Sequence, residues 1–120
     1  MKAEKILPAS VKQAVEALDR VGSRNSPLMA TRAIHINVLV HDIPGPLARF
    51  LKCVYNEVGA EAGISHEAYY EVEGAVTDMI AMGTVYQHRE VRRVLAGHVE
   101  AAPVLDAIRA VVENAPESRA

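Results

Sequence analysis

Apolar residues recur every three or four positions near both ends of the chain, and this spacing predicts amphipathic helices. The first helix is predicted over residues 10–21, where the Ser10 hydroxyl can cap the start and Gly22 can close the end. The last helix is predicted between Pro103 and Pro116. Its apolar stripe consists of Val104, Leu105, Ile108, Val111 and Val112.

The clearest strand is predicted over residues 33–40, because apolar residues alternate there with a period of two. A helix follows after a short loop, beginning near Leu47 and ending at Gly59. Pro44 and Pro46 are compatible with this helix only at its start, where backbone amides have no helical acceptor. The pattern therefore predicts a strand, a tight loop and a helix in that order.

The second half of the chain is less regular. Residues 64–72 alternate in polarity and predict a half-exposed strand, followed by a turn at residues 73–74. Residues 79–86 predict a partner strand. Residues 90–99 match the helical and the strand pattern equally well, so the sequence leaves their state open.

Successive strands with one crossover helix predict an α+β fold with a small sheet of three or four strands. Helices would cover one face of the sheet, in a ferredoxin-like arrangement. We expect a single domain over residues 1–120, with an additional N-terminal helix, a linker over residues 23–31 and a frayed tail from residue 116. Because one Phe and four Tyr cannot cover both faces of the sheet, we also expect a homo-oligomer.

The composition narrows the classes of function. Half of the residues are apolar, yet no apolar run reaches the roughly 18 residues that cross a bilayer, and the start lacks a signal-peptide core. The lone Cys53 excludes an internal disulfide and suits a reducing compartment, so we expect a cytoplasmic protein without a membrane partner. A net charge of −2 and few aromatic residues argue against nucleic acid as a partner.

The most informative stretch for function is residues 41–48, which join the predicted strand to its helix. Gly45 lets a ligand approach the backbone closely, and the helix N-terminus favours a carboxylate or phosphate. Asp42 could instead cap that helix. We expect Gly45→Val to abolish ligand binding and to leave the fold largely intact. The predicted ligand-binding residues are Asp42, Pro44, Gly45 and Leu47.

Residues 36–49 resemble the opening of an ACT domain, a small ferredoxin-like regulatory module. That family begins with an apolar strand, continues with Asp-x-Pro-Gly-x-Leu-Ala, and enters a helix that ends near a glycine. The resemblance implies self-pairing and an amino acid or related carboxylate bound near the strand–helix loop. It covers about residues 33–59, and the final strand of the family has no counterpart after the last predicted helix. The matching residues are Asp42, Pro44, Gly45, Leu47 and Ala48.

A second group of residues suggests acid–base chemistry. On a strand, His66 and Tyr70 would share one face about 13 Å apart, with Tyr69 on the other face. Histidine titrates near neutrality and suits a general acid or base, although an ordinary amphipathic strand explains the same pattern. The candidate catalytic residues of such an enzyme are His41, His66, Tyr69 and Tyr70.

The sequence predicts neither a metal site nor a cofactor. His35 and His41 share a strand face but lie about 20 Å apart, too far for one ion. A site assembled from distant elements, such as His41 with His66, stays open. There is no phosphate-binding glycine loop, dinucleotide fingerprint or nucleophile elbow. Cys53 follows the apolar side of its helix and is predicted to be a small buried side chain.

Three hypotheses follow for the function. The leading one is a small-molecule-binding regulatory domain that senses an amino acid or related carboxylate at residues 41–48. The first alternative is a small oligomeric enzyme with an active site at a subunit interface. The second is a protein-interaction subunit without a pocket, which uses the helix of residues 103–114 as its contact face.

Overall fold

The computed structural model describes residues 1–114, which form six helices and three strands. Two short helices belong to connections, and the other four have ten or more residues. In chain order the elements are α1 (Val11–Arg20), α2 (Ser26–Ala30), β1 (His35–Pro44), α3 (Gly45–Glu57), β2 (Glu61–Ile64), α4 (His66–Tyr69), β3 (Val76–Thr84), α5 (Val85–Val94) and α6 (Ala102–Asn114).

The three strands form one antiparallel sheet in the order β1-β3-β2. Both outer strands pair antiparallel with β3, so they run parallel to each other and α3 is the crossover between them. In this register Leu39 lies opposite Ile80, and Ile80 lies opposite Gly63. A register shift between Val40 and Ile43 interrupts the β1–β3 pairing near the end of β1.

The two faces of the sheet differ in burial. On one face the helices cover the side chains, because Val38, Ile43, Ala62, Met79 and Ala81 are all buried. On the other face, Leu39, Val76 and Ile80 are 54%, 60% and 44% exposed. We call this second side the open face. The α+β fold class with helices over one face of a three-stranded sheet is therefore confirmed, and it is compatible with a ferredoxin-like fold.

Three helices build the core on the covered face. Leu51 and Tyr55 of α3 are fully buried, and so is Val91 of α5. Leu105 and Ile108 of α6 complete the core at its outer side, where α6 packs against both α5 and β1. The apolar stripe predicted for the last helix thus packs against other parts of the same chain, and Val111 alone of that stripe is exposed.

The N-terminal helix forms where its caps predict it. The Ser10 hydroxyl accepts a hydrogen bond from the Gln13 amide at 3.1 Å, and Gly22 follows the helix with a φ of +78°. The linker prediction for residues 23–31 is wrong in part. Residues Ser26–Ala30 form α2, with Pro27 in its first turn, and this short helix packs against α1.

The predicted strand over residues 64–72 is wrong. The strand in this region begins and ends earlier than predicted. Gly59 adopts a φ of +84°, and β2 runs from Glu61 to Ile64. The Ser65 hydroxyl then accepts a hydrogen bond from the Ala68 amide at 3.2 Å and caps α4. The alternation of polarity in this stretch therefore reflects one exposed helical turn and not a strand.

The open question over residues 90–99 is settled in favour of a helix. A capping box starts α5, with the Thr84 hydroxyl accepting from the Gln87 amide and the Gln87 side chain accepting from the Thr84 amide. This box ends β3 at Thr84, two residues before the predicted end of that strand. The helix continues to Val94 and is followed by a turn, so the sheet has three strands.

The remaining expectations concern membrane-spanning helices, the C-terminal tail and the number of domains. Among residues 1–114, no helix combines the length and the apolarity needed to cross a membrane. The frayed tail predicted from residue 116 lies outside the described residues. A single domain over residues 1–120 stays a prediction.

Candidate functional site

The junction between β1 and α3 contains a β-bulge. The register shift falls between Val40 and Ile43, and Asp42 within it has a φ of +58°. A non-glycine residue in the left-handed region is uncommon, although aspartate tolerates it better than most. Bulges of this kind redirect side chains at the end of a strand. Here the bulge places His41 and Asp42 at the surface, next to β3.

Asp78 of β3 holds both bulge residues. One carboxylate oxygen accepts a hydrogen bond from the Asp42 amide at 3.1 Å, and the other lies 3.2 Å from His41 Nδ1. The Asp42 hydrogen bond and then His41 keep the pKa of Asp78 below its usual value. A carboxylate on Nδ1 orients the imidazole and leaves Nε2 free at the surface. Both side chains are more than half exposed, at 65% for His41 and 54% for Asp78.

The first residue of α3 uses its backbone amide within the chain. The Gly45 amide donates to the Ala75 carbonyl at 2.8 Å, and Pro46 has no amide hydrogen to offer. A side chain at position 45 would place its Cβ 3.1 Å from that same carbonyl oxygen. Gly45 is therefore a position of close packing between two parts of the backbone. The expectation that Gly45→Val leaves the fold largely intact stays a prediction, and this close contact indicates that the change costs some stability.

The other predicted ligand-binding residues lie on either side of Gly45. Asp42 and Pro44 are exposed, and Leu47 is half-buried. Asp42 does not cap α3, because Pro44 occupies the cap position and no side chain bonds there. The four residues are close in the chain, but two of the amides in this turn already have protein acceptors.

Of the second predicted group, His66 and Tyr69 lie on α4 and Tyr70 directly follows it, and this short helix packs against α3. The rings of His66 and Tyr70 are 4.5 Å apart, and those of Tyr69 and Tyr70 are 5.0 Å apart. The helical turn thus brings His66 and Tyr70 together, where a strand would have kept them about 13 Å apart. No hydrogen bond or ring contact within residues 1–114 joins His41 to this group.

Arg49 connects α4 to α3. Its guanidinium donates to the Ala68 carbonyl at 3.0 Å and lies 3.3 Å from the Glu71 carboxylate. Glu71 has a φ of +63°, which turns the chain back towards β3. The exposed rings of Tyr69 and Tyr70 therefore stand on a short helix that is anchored to the body of the protein.

Two further expectations concern metals and the thiol. Within residues 1–114, no three His, Cys, Asp or Glu side chains are grouped so that they could hold a metal ion. Cys53 is exposed, so its prediction as a buried side chain is wrong. It lies next to the buried stripe of α3 in sequence, but the helix turns its side chain towards solvent.

The sequence did not predict a buried polar network around His88. His88 Nε2 lies 2.8 Å from the Ile36 carbonyl, and its Nδ1 lies 2.8 Å from the Tyr55 hydroxyl. Because a carbonyl only accepts, Nε2 carries the proton and Nδ1 accepts from tyrosine. Burial lowers the pKa of His88 and raises that of Tyr55. A tyrosine on an apolar helical stripe signals a buried partner, but not which residue it is.

A cavity of about 330 Å³ lies where α5, the following turn and the start of α6 meet. Its polar lining consists of Arg92, His98 and Asp106. His98 is fixed in place, because its Nδ1 accepts from the Ala101 amide and its ring stacks on Phe50 with 4.9 Å between centroids. The apolar wall consists of Leu95, Ala96, Val99, Ala102 and Leu105.

A salt bridge outside the cavity lining connects the two helices beside this cavity. Arg89 of α5 donates two hydrogen bonds to the Glu113 carboxylate of α6, at 2.9 and 2.8 Å. Two-point pairs of this kind fix orientation as well as distance. The cavity was not predictable from the sequence, because residues 90–99 match two patterns and the turn at Gly97, which has a φ of +84°, carries no signal of its own.

Comparisons with known proteins add no relative to this picture. No protein-family model, no curated protein and no solved structure matches the chain. The resemblance of residues 36–49 to an ACT domain therefore stays a prediction.

Proposed function

We propose that this protein is a small-molecule-binding domain whose ligand occupies the cavity between α5 and α6. The observation that carries the proposal is the cavity itself, with a volume of about 330 Å³ and a mainly apolar wall. Ligand pockets typically have about 300–1,000 Å³ and combine apolar walls with a few polar groups. Arg92, His98 and Asp106 are such groups.

A ligand at the mouth of the cavity would cover apolar surface that is now exposed to water. Val99 is 83% exposed at the mouth, beside the nearly buried Leu95 and Leu105. Removing apolar surface from water is worth about 25 cal/mol per Å², so a ligand with an apolar body is stabilised at this position. The ion pair between Arg89 and Glu113 holds the helices in place before a ligand binds.

The turn of residues 41–48 is the other place proposed for a ligand. A carboxylate that binds the Gly45 or the Asp42 amide would have to displace the Ala75 carbonyl or the Asp78 carboxylate, respectively. The cavity requires no such exchange, and it is favoured for that reason. The roles of Asp42, Pro44, Gly45 and Leu47 in binding stay predictions.

A regulatory role and self-association belong to the same proposal. The open face offers exposed Leu39, Val76 and Ile80, and apolar surface of this kind favours contact with another chain. Sedimentation equilibrium at micromolar concentration tests the second part. A monomer mass at all concentrations would remove self-association from the proposal.

The ligand proposal is tested by thermal unfolding with a panel of aliphatic and aromatic acids, amines, amino acids and alcohols. A molecule that binds only the folded state stabilises it by about 2.7 kcal/mol at a hundred times its dissociation constant. Ala102→Phe places a ring in the cavity mouth from an exposed position and should abolish the shift. Ala107→Phe is the matched control, because Ala107 is exposed on α6 outside the cavity.

Two results would contradict the proposal. One is a panel in which no compound raises the melting temperature. The other is a ligand whose effect survives Ala102→Phe unchanged, because such a ligand binds elsewhere. If the effect is instead lost in Asp42→Asn, the turn of residues 41–48 is the binding site.

An acid–base enzyme is the second candidate, and the pairing of His41 with Asp78 favours it. A carboxylate on Nδ1 and a free Nε2 are what a histidine needs to take a proton from a substrate. The test measures hydrolysis of p-nitrophenyl acetate, a reactive ester that reports accessible basic histidines. An equal rate in the wild type and in His41→Ala would exclude catalysis by this residue, whereas an equal rate in His66→Ala is expected.

A further inference from the structure

The cavity between α5 and α6 is lined by one positive and one negative side chain that have no ion-pair partner among residues 1–114. Arg92 on α5 and Asp106 on α6 both line it, and neither forms a hydrogen bond or a salt bridge within residues 1–114. The neighbouring arginines differ in this respect. Arg89 is bound to Glu113, and Arg93 is bound to Glu90. The two charges at the cavity are thus available to a ligand.

A second carboxylate close enough to Arg92 to feel its charge, that of Glu113, is already occupied. Glu113 receives two hydrogen bonds from Arg89, which together with the charges of Arg92 and Arg109 hold its pKa below the usual value. Arg92 therefore adds to a local excess of positive charge at the seam of α5 and α6. A guanidinium recognises a carboxylate through two parallel hydrogen bonds, and this fork is free on Arg92.

Asp106 supplies the opposite charge on the other helix. It is exposed, and a carboxylate accepts hydrogen bonds without donating any. A ligand with only negative charge, such as a phosphate or a dicarboxylate, would meet repulsion from Asp106. A ligand with only positive charge would meet repulsion from Arg92. A molecule that bears both charges satisfies both residues.

We infer that the ligand is a small amphoteric molecule with an aliphatic body, such as an aliphatic amino acid. Its carboxylate binds Arg92, its ammonium group binds Asp106, and its aliphatic part lies against Leu95, Val99 and Leu105. This inference rests on the proposed function and adds the chemical class of the ligand. The volume of about 330 Å³ and the apolar wall suit a body of several carbon atoms.

Four probes of similar shape separate the contributions of the two charges. They are L-leucine, 4-methylpentanoic acid without the amine, 3-methylbutylamine without the carboxylate, and the neutral 4-methyl-1-pentanol. Isothermal titration calorimetry with the full chain should show the tightest binding for leucine. Each missing charge should weaken binding about tenfold or more, as expected for a hydrogen bond between charged groups.

Charge-removing variants link each effect to one residue. Arg92→Gln should weaken leucine and 4-methylpentanoic acid, and leave 3-methylbutylamine unchanged or tighter. Asp106→Asn should weaken leucine and 3-methylbutylamine, and leave 4-methylpentanoic acid unchanged or tighter. Arg93→Gln and Asp19→Asn are controls, because both residues are exposed and lie outside the cavity lining. Unfolding curves confirm that each variant is folded.

The outcomes separate this inference from the proposed function. If leucine binds no more tightly than the alcohol, and both are lost in Ala102→Phe, the cavity binds ligands but the assignment of charges is overturned. If none of the four probes binds, the ligand class is overturned. If probes outside this set also fail to bind, the proposed function is overturned as well. Opposite responses of the acid and the amine in the two variants support the inference.

Discussion

His88 and His41 lie on opposite sides of the same three-stranded sheet, and their surroundings differ in every respect. His88 is 4% exposed, and both its ring nitrogens have partners within the protein. His41 is largely exposed and has one partner, the carboxylate of Asp78. The covered side thus holds a neutral imidazole in one orientation, while the open face leaves one ring nitrogen to solvent.

This difference teaches where polar groups contribute to stability and where they are available for binding or catalysis. A buried polar group must keep its partners, because losing one costs the desolvation of the other. An exposed ion pair is screened by water, and its loss is largely compensated. The covered face is therefore the sensitive part of the sheet. The open face and the helix ends at the cavity tolerate change and can serve recognition.

The largest expected effect comes from His88→Ala. The change leaves the Tyr55 hydroxyl without its partner and opens a void between α3 and α5, so the free energy of unfolding should fall by about 3 kcal/mol. His41→Ala is the matched control on the open face and should not change it measurably. Urea unfolding followed by circular dichroism measures both. Equal losses of stability in the two variants would contradict the proposed difference in sensitivity between the two faces of the sheet.

A smaller effect is expected from two glycines on the sheet and its first helix. Gly45→Val brings side-chain atoms against the Ala75 carbonyl and should cost about 1–3 kcal/mol of stability. Gly63 lies on the open face of β2, where an added Cβ meets only the end of the Met82 side chain at 3.9 Å. Gly63→Ala should stabilise the protein by about 0.5 kcal/mol, because it lowers the entropy of the unfolded chain. A loss of stability in Gly63→Ala would contradict the assignment of its environment.

A further effect concerns pH. The pKa of His88 is lower in the folded protein than in the unfolded chain, so acidification protonates the unfolded state first. The stability that follows from this difference is present above the unfolded value near 6.5 and is lost as the pH falls towards the folded value. Between pH 7 and 5.5 the free energy of unfolding should therefore fall. The dependence should disappear in His88→Gln and persist in His41→Gln.

Much of the fold follows from local features that act over a few residues. Ser10 and Gly22 mark the first helix, because a hydroxyl cap and a left-handed turn depend only on neighbouring backbone groups. The alternation in β1 and the prolines at the start of α3 predict the strand and the helix for the same reason. The structure extends β1 to Pro44, where the bulge at Asp42 was not foreseen.

The errors arise where two local patterns compete. Residues 64–72 alternate like a strand, but the Ser65 cap and the early end of β2 make them a helical turn. Residues 90–99 matched both patterns until the capping box at Thr84 and Gln87 set the start of α5. In each case a side-chain hydrogen bond to the backbone decided between the alternatives.

The candidate site was predictable only in part. Residues 41–48 were identified as the junction of strand and helix, but the structure shows that Ala75 and Asp78 occupy the Gly45 and Asp42 amides there. The cavity beside Arg92 and Asp106 had no signal of its own in the sequence. Its wall comes from two helices and a turn, and it exists only once α6 packs against α5.

The sequence by itself determined the α+β class, the caps of the first helix and the succession of strand and helix at β1 and α3, because these depend on periodicity and on contacts between near neighbours. Tertiary structure alone decided which amides stay free, which histidine is buried and where a cavity opens. Tyr55 and His88 are 33 residues apart, and Asp42 and Asp78 are 36 residues apart. Pairs at such distances are chosen by packing of the whole chain, which no local pattern encodes.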